Sequence, residues 1–274
     1  MVGFRHHYML LLLACLIASD SAKAGYCLED WACWEVRETS EGYEFWVKNQ
    51  KPYSFTGTLD IKVKNLRSVV SEKARYVETE VISGNSEQRL LTLYPVDENE
   101  RASYRDIFYW TPGDMEARHD DEFLYQLPFA IGKRYPLVQG FGGGWSHRGA
   151  SRYAVDFAMP VGTAVHAARP GIVVQTVAHN DKGGASRRYA AYANFIVVLH
   201  ADGTTGEYHH LKKGGVKVNV GEEVKVGELI GYSGNTGFSS LPHLHFAVYR
   251  PKPMGDFESL PFRFVNNAST KRHW

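Results

Sequence analysis

The chain has 274 residues, 44% of them hydrophobic, and sets 31 basic side chains against 30 acidic ones for a net charge of +1. So even a balance gives no global pull toward nucleic acid, and no nucleic acid partner is expected. The length suits one large domain or two modest ones.

The chain opens MVGFRHHYMLLLLACLIASDSAKAG. Arg5 with His6 and His7 forms a charged start, residues 8–18 an apolar stretch too short to cross a bilayer, and Ala22-Lys23-Ala24 a small-x-small cleavage site. Residues 1–24 are therefore expected to be a signal peptide cut after Ala24. The apolar run before Cys15 is very short for a lipoprotein leader. No later segment is long and apolar enough to be a membrane span, so with this leader the mature protein is expected outside the cytosol. Cleavage removes Cys15 and leaves Cys27 and Cys33 in YCLEDWACW. Two close cysteines in an exported chain predict a local disulfide; a redox or metal pair lacks both the CxxC spacing and further thiols.

From Trp34 to about Tyr109 the sequence alternates in short runs such as YEFWVKN, TLDIKVKNL and RYVETEVIS. The period of two and the lack of a helical period predict a small antiparallel β-sandwich, immunoglobulin-like in size, over residues 25–110. Residues 111–129 mix Pro, Gly and charges and read as a connector. A second domain, also all-β, is expected over 130–255, with a tail over 256–274. Within it VGTAVHAARPGIV and VGEEVKVGELIGY share a loose pattern that reads as a quasi-repeat of two hairpins. HNDKGGASRRYAAYAN, residues 179–194, is too polar for a strand and reads as a long loop carrying Arg187 and Arg188, either functional or a solvated insertion.

LPHLHFAVYR, residues 241–250, carries the chemistry. On a strand His243 and His245 share a face, with Cα atoms about 6.6 Å apart. A lone His is usually a satisfied core residue, but two on one apolar strand each cost about 1–3 kcal/mol if left without a partner. A metal would offset that cost. Upstream, GGGWSHRGASRYAVDFAMP offers His147 after a Gly-rich turn and Asp156 between Val155 and Phe157. Two imidazoles and a carboxylate form a three-ligand set for catalytic zinc, whose fourth position stays open for water. Without thiols a structural zinc or a soft metal is disfavoured.

Three motifs in order, SHRGASRYAVDFAMPVGT, YHHL and PHLHF, together with GYSGNTG between the last two, resemble those of the LytM-type zinc metallopeptidases, also called M23 or lysostaphin-type endopeptidases. The resemblance runs from about Gln139 to Tyr249. It implies a LytM-type antiparallel sheet in which His147, Asp156 and His245 bind one zinc ion, and it makes His210 and His243 the catalytic acid/base or transition-state stabilisers. Tyr208 precedes His210 by two positions, and alternation sends His209 to the other face. The implied reaction is hydrolysis of the stem or cross-link peptides of peptidoglycan by a zinc-activated water, in the periplasm or envelope of a bacterium. Arg187 and Arg188 are suited to substrate carboxylates, though solvation explains them equally. The first motif departs from the commonest pattern: His147 and Asp156 stand nine positions apart rather than four, so RGAS must supply a turn that returns His147 to the metal.

Two alternatives stand beside this reading. One is a LytM-like module that binds wall or regulates an amidase without cutting. The other is an adhesive protein whose N-terminal sandwich is the working part. His119, His166, His179, His200 and His273 are expected to have no metal role. Asn267 in NAS is a glycosylation acceptor only in a eukaryotic secretory setting.

Overall fold

The computed structural model describes residues 25–28 and 31–265; the leader expected over residues 1–24 and Asn267 lie outside these. The described residues are all-β apart from three short 3-10 turns, as the alternating runs require. Two compact units divide the chain near residue 115, the first also taking residues 251–256.

In the first unit, a five-stranded antiparallel sheet runs Gly25–Leu28, Ala32–Glu38, Tyr43–Asn49, Ser86–Pro95, Leu66–Arg67. A three-stranded one runs Arg75–Ile82, Phe55–Lys64, Ser103–Pro112. Phe45, Val47, Phe55, Leu59 and Ile61 are completely buried. The Trp31 ring meets Phe55 at 5.5 Å and Trp110 at 4.7 Å between centroids. Cys27 and Cys33 face each other across the first strand pair and are disulfide-bonded, as their spacing predicts.

In the second unit, an eight-stranded antiparallel sheet has Val155–Phe157, Leu244–Lys252 and Thr205–His209 side by side. Alternation assigns its two faces. Val155, Phe157, Leu244, Phe246, Val248 and Tyr208 join the hydrophobic core on one face. Asp156, His245 and His209, the residues between them, therefore share the other face. Tyr125 and Phe129, from the expected connector, and Phe262 and Phe264, from the expected tail, are buried in the same core. The Pro, Gly and charges of 111–129 mask Tyr125 and Phe129, and Phe262 and Phe264 stand beyond the last strand that the sequence pattern marks.

The two pieces of the quasi-repeat pair with one another rather than folding as separate hairpins. Ala164–His166 runs antiparallel to Leu229–Ser233, and Gly171–Val177 to Glu223–Val224. The equivalent turns use Gly162 at φ 88° and Gly221 at φ 92°, a region an L side chain rarely adopts.

Candidate metal centre and active site

Strand pairing assembles the centre. Asp156 stands directly opposite His245, and His245 opposite His209, so one carboxylate and two imidazoles form a row across three strands. His147 joins from the loop that precedes the Asp156 strand. The long spacing between His147 and Asp156 is taken up by a 3-10 turn, Gly149–Ser151, in the RGAS segment, with Gly149 at φ 57°.

His147 Nε2 lies 3.1 Å from Asp156 Oδ1 and His245 Nδ1 lies 2.9 Å from the same oxygen. Donor atoms of the three residues all fall within 4.8 Å of one another, a set that can hold a metal ion. His147 is completely buried. Its Nδ1–H is donated to the Gly140 carbonyl at 2.9 Å, which leaves Nε2 as the lone-pair nitrogen. That Nε2 is buried without a hydrogen bond, an arrangement that costs stability unless a cation accepts the lone pair. The residues thus fit a zinc ion, both by donor chemistry and by this orphaned nitrogen.

His245 is held from behind. With Nδ1 toward Asp156, its Nε2–H faces the Tyr249 hydroxyl at 3.4 Å, and Tyr249 donates to Ser151 Oγ at 3.1 Å. Burial pushes the His245 imidazolium down to about 4 against the pull of Asp156. Burial would raise the Asp156 carboxyl, but contacts with His147 and His245 prevail and hold it well below the usual carboxylate range. The centre therefore sets a carboxylate, Asp156, beside an imidazole, His245, whose neutral form burial favours, the protonation that metal binding requires of both.

His210 and His243 flank the row with ring centroids 4.5 Å apart. His210 donates Nδ1–H to the Thr236 carbonyl at 2.7 Å, and His243 donates Nδ1–H to the Leu241 carbonyl at 2.7 Å, with Ser239 Oγ 3.0 Å away. Each ring therefore has its Nε2 left for chemistry, and His243 Nε2 is 3.8 Å from Asp156 Oδ1. Burial and neighbouring imidazoles hold His210 well below its ordinary pKa.

All five sequence-predicted residues thus converge, but one placement beside them differs from expectation. His209 does not face away from the centre. It stands opposite His245, its Nε2 2.8 Å from Glu207 Oε2, while Tyr208 is the residue in the core. Alternation past His209 would send His210 to the core, yet His210 adopts φ 66° and turns back to the site. A left-handed φ at a histidine has no signature in YHHL, so counting faces by twos fails there. Thr236, Ser239, Ser151, Glu207 and Tyr249 also escaped the sequence reading; GYSGNTG marks Thr236 only as part of a turn.

Residues 150–256 match the family model described as Peptidase family M23, a span that contains Asp156, His210, His243 and His245. Glycyl-glycine endopeptidase ALE-1 of Staphylococcus capitis is 42% identical over 156 residues, 56% of this chain and 38% of that protein. Lysostaphin of Staphylococcus simulans is 42% identical over 131 residues, 47% of this chain and 22% of its own. Peptidoglycan DD-endopeptidase ShyA of Vibrio cholerae is 37% identical over 108 residues, 39% of this chain and 22% of its own. The match thus spans well under half the length of each of these relatives. Among solved structures, lysostaphin from Staphylococcus simulans aligns at 32% identity with a TM-score of 0.34, covering 46% of this chain and 47% of that one. The chain therefore carries a Peptidase family M23 domain.

Proposed function

We propose that the protein is an exported zinc metalloendopeptidase that hydrolyses peptide bonds in the stem or cross-link peptides of bacterial peptidoglycan. The convergence of His147, Asp156 and His245 on one point, beside the paired rings of His210 and His243, carries this reading. Relatives named for glycyl-glycine and for peptidoglycan DD-endopeptidase activity support the substrate class. Export would follow from a leader over residues 1–24, and the chemistry falls within 130–255.

His147, Asp156 and His245 would hold one zinc ion, whose Lewis acidity polarises a scissile carbonyl and acidifies water. The chain's own residues do the rest. Because Thr236 and Leu241 hold the Nδ1–H groups, Nε2 of His210 or His243 is available to take the proton from the attacking water. Once protonated, the same Nε2–H can stabilise the developing oxyanion and deliver its proton to the leaving amine. Asp156 stays ionised throughout, since its neighbours hold its pKa down.

Metal analysis and digestion of purified sacculi test the reading together. His245→Ala is expected to lose bound zinc and all lysis. His210→Ala and His243→Ala are expected to retain zinc and lose about 10²–10⁴ in rate. Lysis that survives all three substitutions overturns the assignment. A zinc-loaded chain that binds sacculi but releases no peptide favours the non-cutting, amidase-regulating module instead.

A further inference from the structure

We propose that the loops of residues 142–153 and 179–194 form a cationic, aromatic-lined subsite for a carboxylate of the peptide substrate, with Arg187 on Phe238 as its anchor. This rests on the peptidase reading, since it names a property of the substrate which that reading leaves open.

The 179–194 insertion is tied to the segment that holds both catalytic histidines. Gly183–Gly184 pairs with Gly237–Phe238, Gly237 N–H is donated to the Lys182 carbonyl at 2.9 Å, and Ser239 N–H to the Gly184 carbonyl at 3.1 Å. Thr236, which fixes His210, and Ser239, which touches His243, bracket that pairing. Phe238 thus lies one residue from a contact of His243. Its ring meets Trp145 at 5.1 Å, and Trp145, two residues before His147, is 53% exposed. An indole left that accessible beside the centre offers a face to a ligand.

Charge gives the chemistry of that ligand. Arg187 places its guanidinium carbon 5.6 Å from the Phe238 centroid, and Arg188 lies 4.9 Å from the Tyr189 centroid. Together the two loops bring Arg148, Arg152, Lys182, Arg187 and Arg188 and a single carboxylate, Asp181, which pairs with Lys213 at 2.9 Å. The chain as a whole is nearly neutral, so this excess is local, and a surface region dominated by one sign of charge concentrates ligands of the other. A guanidinium over an aromatic face keeps its N–H groups around its rim, where a carboxylate accepts two of them. Lysine, a compact ammonium, would not reproduce that geometry.

Calorimetric binding and cleavage of three synthetic peptides by the zinc-loaded chain test the proposal. One is pentaglycine amide, one the same amide with glutamate next to the central bond, and one pentaglycine with a free terminal carboxylate. The glutamate peptide is expected to bind about tenfold more tightly than the amide, as a charge-assisted hydrogen-bonded pair allows, and the advantage should shrink as salt is raised. Preference for the free-terminus peptide alone would assign the subsite to a chain-end carboxylate rather than a side chain. In Arg187→Gln the ratio of dissociation constants between acidic and neutral peptides is expected to approach one, and Arg187→Lys to restore it only in part. Equal binding of all three peptides, or an acidic preference that survives Arg187→Gln, overturns the subsite. If the preference holds in binding while no peptide is cut, the peptidase reading fails and the subsite stands; equal binding with cutting gives the reverse.

Discussion

Among the buried polar side chains of residues 31–115, only Asp60 is acidic, and a fork of hydrogen bonds from Arg75 at 2.6 and 2.7 Å satisfies it. Asn49 in the same unit donates to three backbone carbonyls, of Tyr53, Ile82 and Ser83. Residues 116–265 instead bury His147, Asp156, His200, Glu207, His209 and His243, with nitrogen lone pairs left unspent at His147 and His200. Burying such groups costs stability that hydrogen bonding alone does not recover. The first unit uses buried polarity to fix its strands, and the second gives up stability to bury imidazoles, three of which, His147, His209 and His243, gather around Asp156 and His245.

The largest effect that sharpens the contrast is in the first unit's core. Phe55 is completely buried against Trp31, Phe108 and Trp110. Phe55→Ala should lower the unfolding free energy of that unit by about 3–5 kcal/mol, read by denaturant titration. Zinc stabilises only a fold that binds it, so added zinc should not restore this transition. A zinc-dependent rescue would break the contrast.

Acid should separate the two units next. Residues 31–115 contain no histidine, whereas burial pushes His200 of the second unit down to about 4, with the Pro170 carbonyl only partly opposing. The folded pKa lies below the unfolded value of 6.5, so the unfolded chain binds the proton more readily. Stability is therefore full above pH 6.5 and falls as pH drops toward 4, by about 3 kcal/mol from this residue. His200→Asn in the zinc-free chain should flatten that share of the slope, measured as midpoint against pH. An unchanged slope would remove His200 from the account.

The sequence makes the site more legible than the packing around it. Asp156, His243 and His245 are readable because strand alternation and ligand spacing are local properties, and motif order adds His210 and His147. The Cys27–Cys33 bond is equally local. Tyr125 and Phe264 join the core through pairing of Leu124–Tyr125 with Arg263–Phe264, a contact across the whole second unit that no local pattern encodes. His209 was misplaced because one backbone angle, at His210, reverses the side of the sheet the chain addresses. Tyr249 is invisible for a simpler reason: in HFAVYR it looks like a strand aromatic, and only the fold shows that its hydroxyl meets the His245 imidazole.

Tyr249 gives the finest test of how the second unit spends its buried polarity. Its ring is buried against Phe257 at 4.9 Å, so Tyr249→Phe keeps the packing and removes one oxygen. That oxygen accepts from His245 Nε2–H and passes a hydrogen bond to Ser151, which fixes the tautomer that turns Nδ1 toward Asp156. Partners of this kind orient a ligand and raise its basicity, and their loss typically weakens metal affinity about 10–100-fold. Competition with a chelator should show that loss in Tyr249→Phe and a smaller one in Ser151→Ala, where the tyrosine remains but has no acceptor. A change in melting temperature without a change in zinc affinity would make the tyrosine a packing residue like Phe55. The strand pairing of His245 with Asp156 would then orient the imidazole by itself, and the second unit's polarity would resemble that of the first.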